Sequence, residues 1–286
     1  MNDRCPVSIL IPAKNERTNV GACLRSCEFA DEVVVIDSGS TDGSGDIARA
    51  AGAQVVDFAW NGQLPKKKNW ALANVPWRHE WVFILDADER IPAALAAEIR
   101  QTIAAPTCDG YYVNRRFWFL DGWLMHCGYY PSWNLRLFRH QLGRYEQFAG
   151  VDDTDSGDNE VHEHVLLEGR VGRLTHDMEH YAFPTIGAWV DKHNRYSNWE
   201  ARLLTSEPAR NAAANAPIDA SLARKRRLKH LASRLPFRPT LRFLYHYVWR
   251  QGFLDGYRGY VFCRLMGWYE FLSVSKANEL RHRHQP

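Results

Sequence analysis

Trp81-Val82-Phe83-Ile84-Leu85-Asp86-Ala87-Asp88-Glu89 decides the fold of this 286-residue chain. Five consecutive apolar residues with no polar break describe a strand buried on both faces, and such strands belong to parallel sheets covered by helices. The run ends on two carboxylates spaced i, i+2. Like charges so close repel each other unless a cation lies between them. Mg²⁺ and Mn²⁺ take oxygen ligands and keep positions open for substrate phosphates. The competing reading is a solvated strand-to-helix turn in which Glu89 helps to cap the next helix, opened by Pro92 and running to about Ile103.

Working outward, the same alternation repeats. Val7–Pro12 reads as a buried strand, and Val20, Cys23, Leu24 and Cys27 fall on one helical face at i, i+3, i+4, i+7. That spacing makes Cys23 and Cys27 core residues in preference to a metal pair. Val33–Ile36 is a second strand, closed by the polar turn Asp37-Ser38-Gly39-Ser40-Thr41-Asp42-Gly43. Asp42 or Ser44 can cap the helix carrying Ile47, Ala48 and Ala51, and Gly52 ends it. Gln54–Phe58 is a third strand and Lys66–Asn74 a short helix. Strand and helix alternating in this way predict an α/β fold, a mostly parallel, Rossmann-type sheet flanked by helices. Ligands of such sheets sit beyond the carboxyl ends of the strands. Asn15 and Glu16, Asp37, and Asp86 with Asp88 all fall at such ends, so they are expected to converge.

From 110 to 180 the chain turns aromatic, with short strands at Tyr111–Val113, Asn134–Phe138 and Val165–Leu167 and an acidic loop over 152–160. Residues 186–204 fit an amphipathic helix through Trp189, His193, Tyr196 and Leu203, and 207–221 reads as a linker. The net charge of +3 hides an asymmetry: residues 222–286 hold fourteen Lys and Arg against three Asp and Glu, which leaves the remainder acidic by eight. The domains expected are therefore 1–206 (a nucleotide-binding half, 1–105, and an acceptor half, 106–206), the linker, and a helical, basic, aromatic appendage over 222–286. That appendage is too charged for a membrane span. A basic aromatic helix can lie in the headgroup plane instead, or pack as a hairpin on the body; nucleic acid is not expected, since no binding motif accompanies the charge. No signal-peptide pattern opens the sequence and the six cysteines form no CxxC pair, so reduced thiols in a cytoplasmic protein are expected.

Four further features carry chemistry. Asp37 can accept from a nucleobase N–H or a ribose hydroxyl, or merely close an Asx-turn. Lys66-Lys67-Lys68 is either a solvated helix face or, near a helix start, a diphosphate site with Lys68 as its functional member. In Glu160-Val161-His162-Glu163-His164, a carboxylate beyond a loop suits removal of a proton from an acceptor hydroxyl; a charged edge strand and a zinc site completed by His176 and His180 are the rivals. His176 can also offer a nitrogen to a metal at Asp88, or be an ordinary histidine.

The motifs Ser8–Glu16, Val34–Gly43, Lys68–Ala71 and Leu85–Glu89 occur in order, and together they resemble the family 2 glycosyltransferases of the GT-A fold. Val161-His162-Glu163, His176 and the 189–203 helix further resemble the subgroup of lipopolysaccharide inner-core β-1,4-glucosyltransferases. The resemblance implies inverting transfer from a nucleoside-diphosphate sugar, a UDP-hexose, to a lipid-linked glycan. It implies Mg²⁺ or Mn²⁺ at Asp88 with His176, Asp86 on the ribose or beside the metal, Asp37 on the base, and Lys68 where the family often has arginine. It extends donor contacts to Pro12, Lys14, Asn15, Glu16 and Ala87, and makes Glu163 the catalytic base. A glycolipid acceptor implies a place on the inner face of the cytoplasmic membrane. Transfer to a polyprenyl phosphate or exopolysaccharide, a nucleotide-sugar binder without turnover, and a zinc hydrolase are the alternatives.

Overall fold

The sheet reverses its strand order at β1 (Cys5–Ala13), which has β2 (Ala30–Asp37) on one side and β4 (Trp81–Ile84) on the other, both parallel to it. The computed structural model describes residues 4–147, 164–183, 185–205 and 237–283. Two compact units emerge: one formed by 1–118, 131–147 and 158–182, the other by 119–130, 148–157 and 183–286.

In the first unit, β3 (Gln54–Asp57) extends the sheet beyond β2. Helices α1 (Val20–Ser26), α2 (Ser44–Ala50), α3 (Lys67–Asn74) and α4 (Ala93–Ala104) alternate with these strands. Beyond β4 the sheet continues through β8 (Trp133–Arg139), β6 (Gly110–Phe119), β12 (Met178–Phe183) and β5 (Glu89–Arg90), and β11 (Val171–Arg173) lies against β6. β8 runs antiparallel to both β4 and β6. β9 (Gly143–Tyr145) and β10 (Val165–Leu167) form a separate antiparallel pair. The apolar runs have the reason expected of them. Along β1, Val7, Ile9 and Ile11 enter one core with Cys23, Cys27, Leu95 and Ile99, while Leu10 enters the opposite one with Ala71 and Leu72. A strand that feeds two cores has no face left for polar residues.

The turn after β2 is built as the sequence suggests, with one difference. Asp42 accepts from Ser44 N at 3.0 Å, but Gly43, at φ 87°, is the residue before α2. Glycine alone reaches that conformation at little cost.

The second unit holds β7 (Gly122–Trp123), α5 (Ile186–Thr205), α6 (Arg238–Leu244) and the 28-residue α7 (Gly256–Arg283). Helix α5 ends one residue beyond the 186–204 expected from its apolar spacing. Trp189 and His193 stack with ring centroids 3.6 Å apart and are buried with Tyr269 of α7. Glu270 of α7 holds Arg238 and Arg242 of α6 at 2.5 and 2.9 Å. All six cysteines are free thiols. The acidic loop, the linker and residues 222–236 lie outside the described residues.

Burial pushes the imidazoles of His193 and His246 down to about 4. In the unfolded chain they titrate near ~6.5. A depressed folded value means that the stability is fully present above ~6.5 and is lost as pH falls toward 4, by about 1.4 kcal/mol per pH unit for each group. Urea midpoints should therefore fall from pH 6.5 to 4. His246→Gln, whose amide can still donate to Cys127 O, should make that fall roughly half as steep.

Candidate functional site

The site grows from the reversal of strand order. β1, between β2 and β4, is where the strand order reverses, and ligands of such sheets sit at that point beyond the carboxyl ends of the strands. The register puts Ala13 opposite Asp37 and Leu10 opposite Ile84, which brings the three motif-bearing strand ends side by side.

The first two loops are stitched together. Asn15 adopts φ 56°, a left-handed conformation that asparagine tolerates. Its side-chain oxygen accepts from Thr41 N at 2.9 Å, and its own N–H donates to Ser40 Oγ at 2.9 Å. Glu16 N donates to Ser44 Oγ and Arg17 N to Asp42. Asp37 is buried and its carboxylate accepts from the backbone N–H and hydroxyl of Ser40. The Asx-turn reading thus has a visible basis here, alongside a position at the strand end. Pro12 is buried near the end of β1, Ala13 closes its buried run, and Lys14 is exposed just beyond it.

The three lysines are not a solvated face. Lys66, Lys67 and Lys68 are all buried, with Lys68 3% exposed. The reason is the direction of α3, whose first turn points into the crevice: Lys67 Nζ donates to Ala13 O at 3.0 Å, and Lys68 Nζ lies 2.9 Å from Asp86 Oδ1 and over the ring of Tyr145. Asn69 locks this end of α3 to β9, donating to Tyr145 O and accepting from Tyr145 N.

The Asp86–Glu89 turn is governed by Arg136, from the middle of β8. Its Nη2 sits 2.9 Å from Asp86 Oδ2 and 2.8 Å from Glu89 Oε1. Glu89 is fully buried, accepts from Asp86 N through its other oxygen and lies 3.4 Å from Arg115. Burial alone would raise the Asp86 carboxyl, but Lys68 and Arg136 override it and hold it well below the ordinary carboxylate range. Asp86 is therefore an anion already matched by two fixed cations. A divalent ion on its oxygens would have to compete with both.

Asp88 differs. Its carboxylate lies 3.4 Å from His180 Nε2, and its backbone oxygen accepts from Tyr181 N at 2.8 Å, so β12 presents the imidazole to it. His180 packs edge-on to Phe117, and its buried Nδ1 has no hydrogen-bond partner among the described residues. A carboxylate oxygen from the turn before β5 and an imidazole nitrogen from β12 fit two positions of a Mg²⁺ or Mn²⁺ shell, with the remainder left to phosphate and water. Among the described residues no group of three His, Cys, Asp or Glu side chains could hold a metal by itself.

His176 lies elsewhere, exposed in the turn before β12. Its N–H and Nδ1 face Glu98 of α4 at 2.8 and 2.9 Å, so it is not brought to Asp88. Glu163 is outside the described residues. Its neighbour His164 donates its N–H to the buried Glu146 at 3.0 Å. Sequence reasoning passed over Arg136, whose signal is an arginine inside the apolar strand Leu135–Phe138. It weighed His180 only as a partner of His176; the two do not share an element, since His176 lies in the turn before β12 and His180 within the strand.

Fold and site together define a doubly wound α/β protein whose ligand crevice is acidic at its centre and walled by buried cations. The chain belongs to glycosyl transferase family 2, whose profile matches residues 8–157, and it is a glycosyltransferase. It is 32% identical over 213 residues to the lipopolysaccharide core biosynthesis glycosyltransferase LpsC of Rhizobium meliloti (strain 1021), covering 70% of this chain and 72% of that protein. An uncharacterized glycosyltransferase of Rickettsia typhi (strain Wilmington) is 26% identical over 283 residues, 96% of this chain and 87% of its own. A crystal structure of glucosyl-3-phosphoglycerate synthase from Mycobacterium tuberculosis with Mn²⁺, UDP-glucose and phosphoglyceric acid is 24% identical, with a TM-score of 0.32; the match covers 40% of this chain and 44% of that one.

Removing Arg136 leaves Glu89 buried with only the more distant Arg115. Arg136→Met should lower stability by about 3 kcal/mol, and Arg136→Lys by less, as measured by urea unfolding. Equal midpoints for wild type and Arg136→Met would show that the guanidinium does not hold the turn.

Proposed function

We propose that this glycosyltransferase moves a hexose, with inversion, from a uridine-type nucleoside-diphosphate sugar to a lipid-linked glycan of the lipopolysaccharide core, with Mg²⁺ or Mn²⁺ held at Asp88. The carrying observation is the division of labour within one turn: Asp86 is neutralised by Lys68 and Arg136, whereas Asp88 faces an imidazole. The similarity to LpsC supports the acceptor class. Work at the inner face of the cytoplasmic membrane follows from such an acceptor.

Each residue then has a task. Asp37, at the end of β2, accepts from the base. Asp86, kept ionised by its two cations, accepts from the ribose hydroxyls. Pro12, Lys14, Asn15 and Glu16 border the donor from the loop after β1, and Ala87 leaves room for it between the two aspartates. Lys68 stands beside Asp86 with its charge directed at the diphosphate, and the first turn of α3 adds its N–H groups. Asp88 and His180, in place of His176, hold the divalent ion. That ion, when bound, offsets the charge that grows on the departing diphosphate. Glu163 takes the proton of the acceptor hydroxyl from the face opposite the leaving group, which gives inversion.

Calorimetric titration with UDP and Mn²⁺ separates these roles. Asp88→Ala should lose the metal-dependent part of binding, whereas Glu163→Gln should bind like wild type and lose turnover. Equal binding by both variants would remove the assignment. In the same titration His180→Ala should weaken metal-dependent binding by roughly 10- to 100-fold, while His176→Ala leaves it unchanged. The reverse order would restore His176 as the ligand.

A further inference from the structure

Helix α6 runs back along α7. Phe243 meets Tyr260 with ring centroids 6.3 Å apart, and a Cβ at Gly267 would stand 3.0 Å from Pro239 O. The two helices therefore form a hairpin. Its elbow is a π-helical turn, Tyr245–Trp249, followed by a 3₁₀ turn, Gly252–Asp255. Gln251 at φ 57° and Gly256 at φ 62° bracket the second turn and reverse the chain. A Cβ at Gly259 would collide with Gly252 O, so glycine is what lets the elbow close on α7.

The elbow presents large apolar side chains outward. Trp249 is 78% and Tyr257 75% exposed, with Val248, Phe253 and Leu254 each about half exposed or more. Single exposed apolar residues need no explanation, but five on ten consecutive residues do. Its charge is equally one-sided. Asp255 is the only acid between Arg238 and Tyr269. It is turned inward, accepting from His126 N and pairing with His126 Nδ1, both at 2.9 Å. Arg250, Arg258 and Arg264 pair with no carboxylate among the described residues; Arg258 donates to Leu120 O and Arg264 lies over Phe243. The surface so formed is aromatic and cationic, with its one carboxylate withdrawn.

We propose that this elbow is a docking surface for an anionic lipid bilayer, with Trp249, Phe253, Leu254 and Tyr257 entering the headgroup boundary and Arg250 and Arg258 facing lipid phosphates. Trp and Tyr prefer the membrane interface, where one end of the ring is apolar and the other wet. Arginine matches phosphate geometry. No described helix is long and apolar enough to cross a membrane, so the contact lies in the interface plane and does not span it. The inference deepens the reading of the acceptor as lipid-linked: the same membrane that carries the acceptor would hold the enzyme. Its chemistry does not depend on which sugar is moved.

Flotation of the full chain tests it. Vesicles of phosphatidylcholine with about one-third phosphatidylglycerol should carry the protein upward, and pure phosphatidylcholine should carry roughly tenfold less. High salt should weaken the anionic component. The double variant Trp249→Ser, Tyr257→Ser should cut flotation roughly tenfold, and so should Leu254→Glu, which places a carboxylate in the patch. The lysines and arginines of 224–234 remain in both variants, so the comparison isolates the elbow. Both variants should keep the wild-type melting curve and the wild-type rate of donor hydrolysis, because the substituted side chains are exposed and distant in sequence from the aspartates. Flotation of either variant at the wild-type level overturns the proposal. So does a wild-type chain that does not float, or one that is dimeric by light scattering and becomes monomeric in the double variant, since the elbow is then a contact between two copies. Flotation without any donor binding would sink the transferase reading of the crevice and leave the lipid surface standing.

Discussion

One guanidinium fixes the geometry on which the crevice depends. Arg136 bridges Asp86 and Glu89 through a single nitrogen, and Lys68 closes on Asp86 from the other side. Two carboxylates three residues apart in a buried turn would otherwise repel each other and recruit water. With cations on both, the turn has one low-energy arrangement. That arrangement leaves Asp88, which lies between them in sequence, directed toward the imidazole of His180.

The cations reach the turn because of how the sheet is assembled. β8 is inserted antiparallel beside β4, so the middle of an apolar strand delivers a charged side chain directly behind the carboxyl end of its neighbour. Helix α3 starts at the same level and turns three lysines inward. Burying so much positive charge is unfavourable unless anions share the site. Within the fold Asp86 and Glu89 supply part of that balance.

Much of the parallel half was legible from the sequence, because β1, β2 and β4 each feed two cores and so carry apolar runs. The helix of Val20, Cys23, Leu24 and Cys27 was legible for the complementary reason, a single buried face repeated at helical spacing. The lysine triplet left two readings open, a solvated face or an anion site at Lys68. Exposure is the usual fate of lysine, and only the direction of α3 against β1 and the Asp86 turn brings these ammonium groups inside. The histidines misled. His176 and His180 are four residues apart, a helical interval, but the segment is a turn followed by a strand, so one faces Glu98 and the other Asp88. Arg136 left a trace in the pattern, a charge where a strand should be apolar, yet its partners belong to a segment some 50 residues away.

By itself the sequence determined the class of fold, the family and the convergence of Asn15, Asp37, Asp86 and Asp88 on one edge of the sheet, because apolar periodicity and strand-end carboxylates are local properties. The tertiary structure alone decided that Lys68 and Arg136 close on Asp86, that His180 stands beside Asp88, and which aromatics of the basic C-terminal region are turned outward. Those outcomes depend on distances between residues far apart in the chain, and no local pattern encodes a distance.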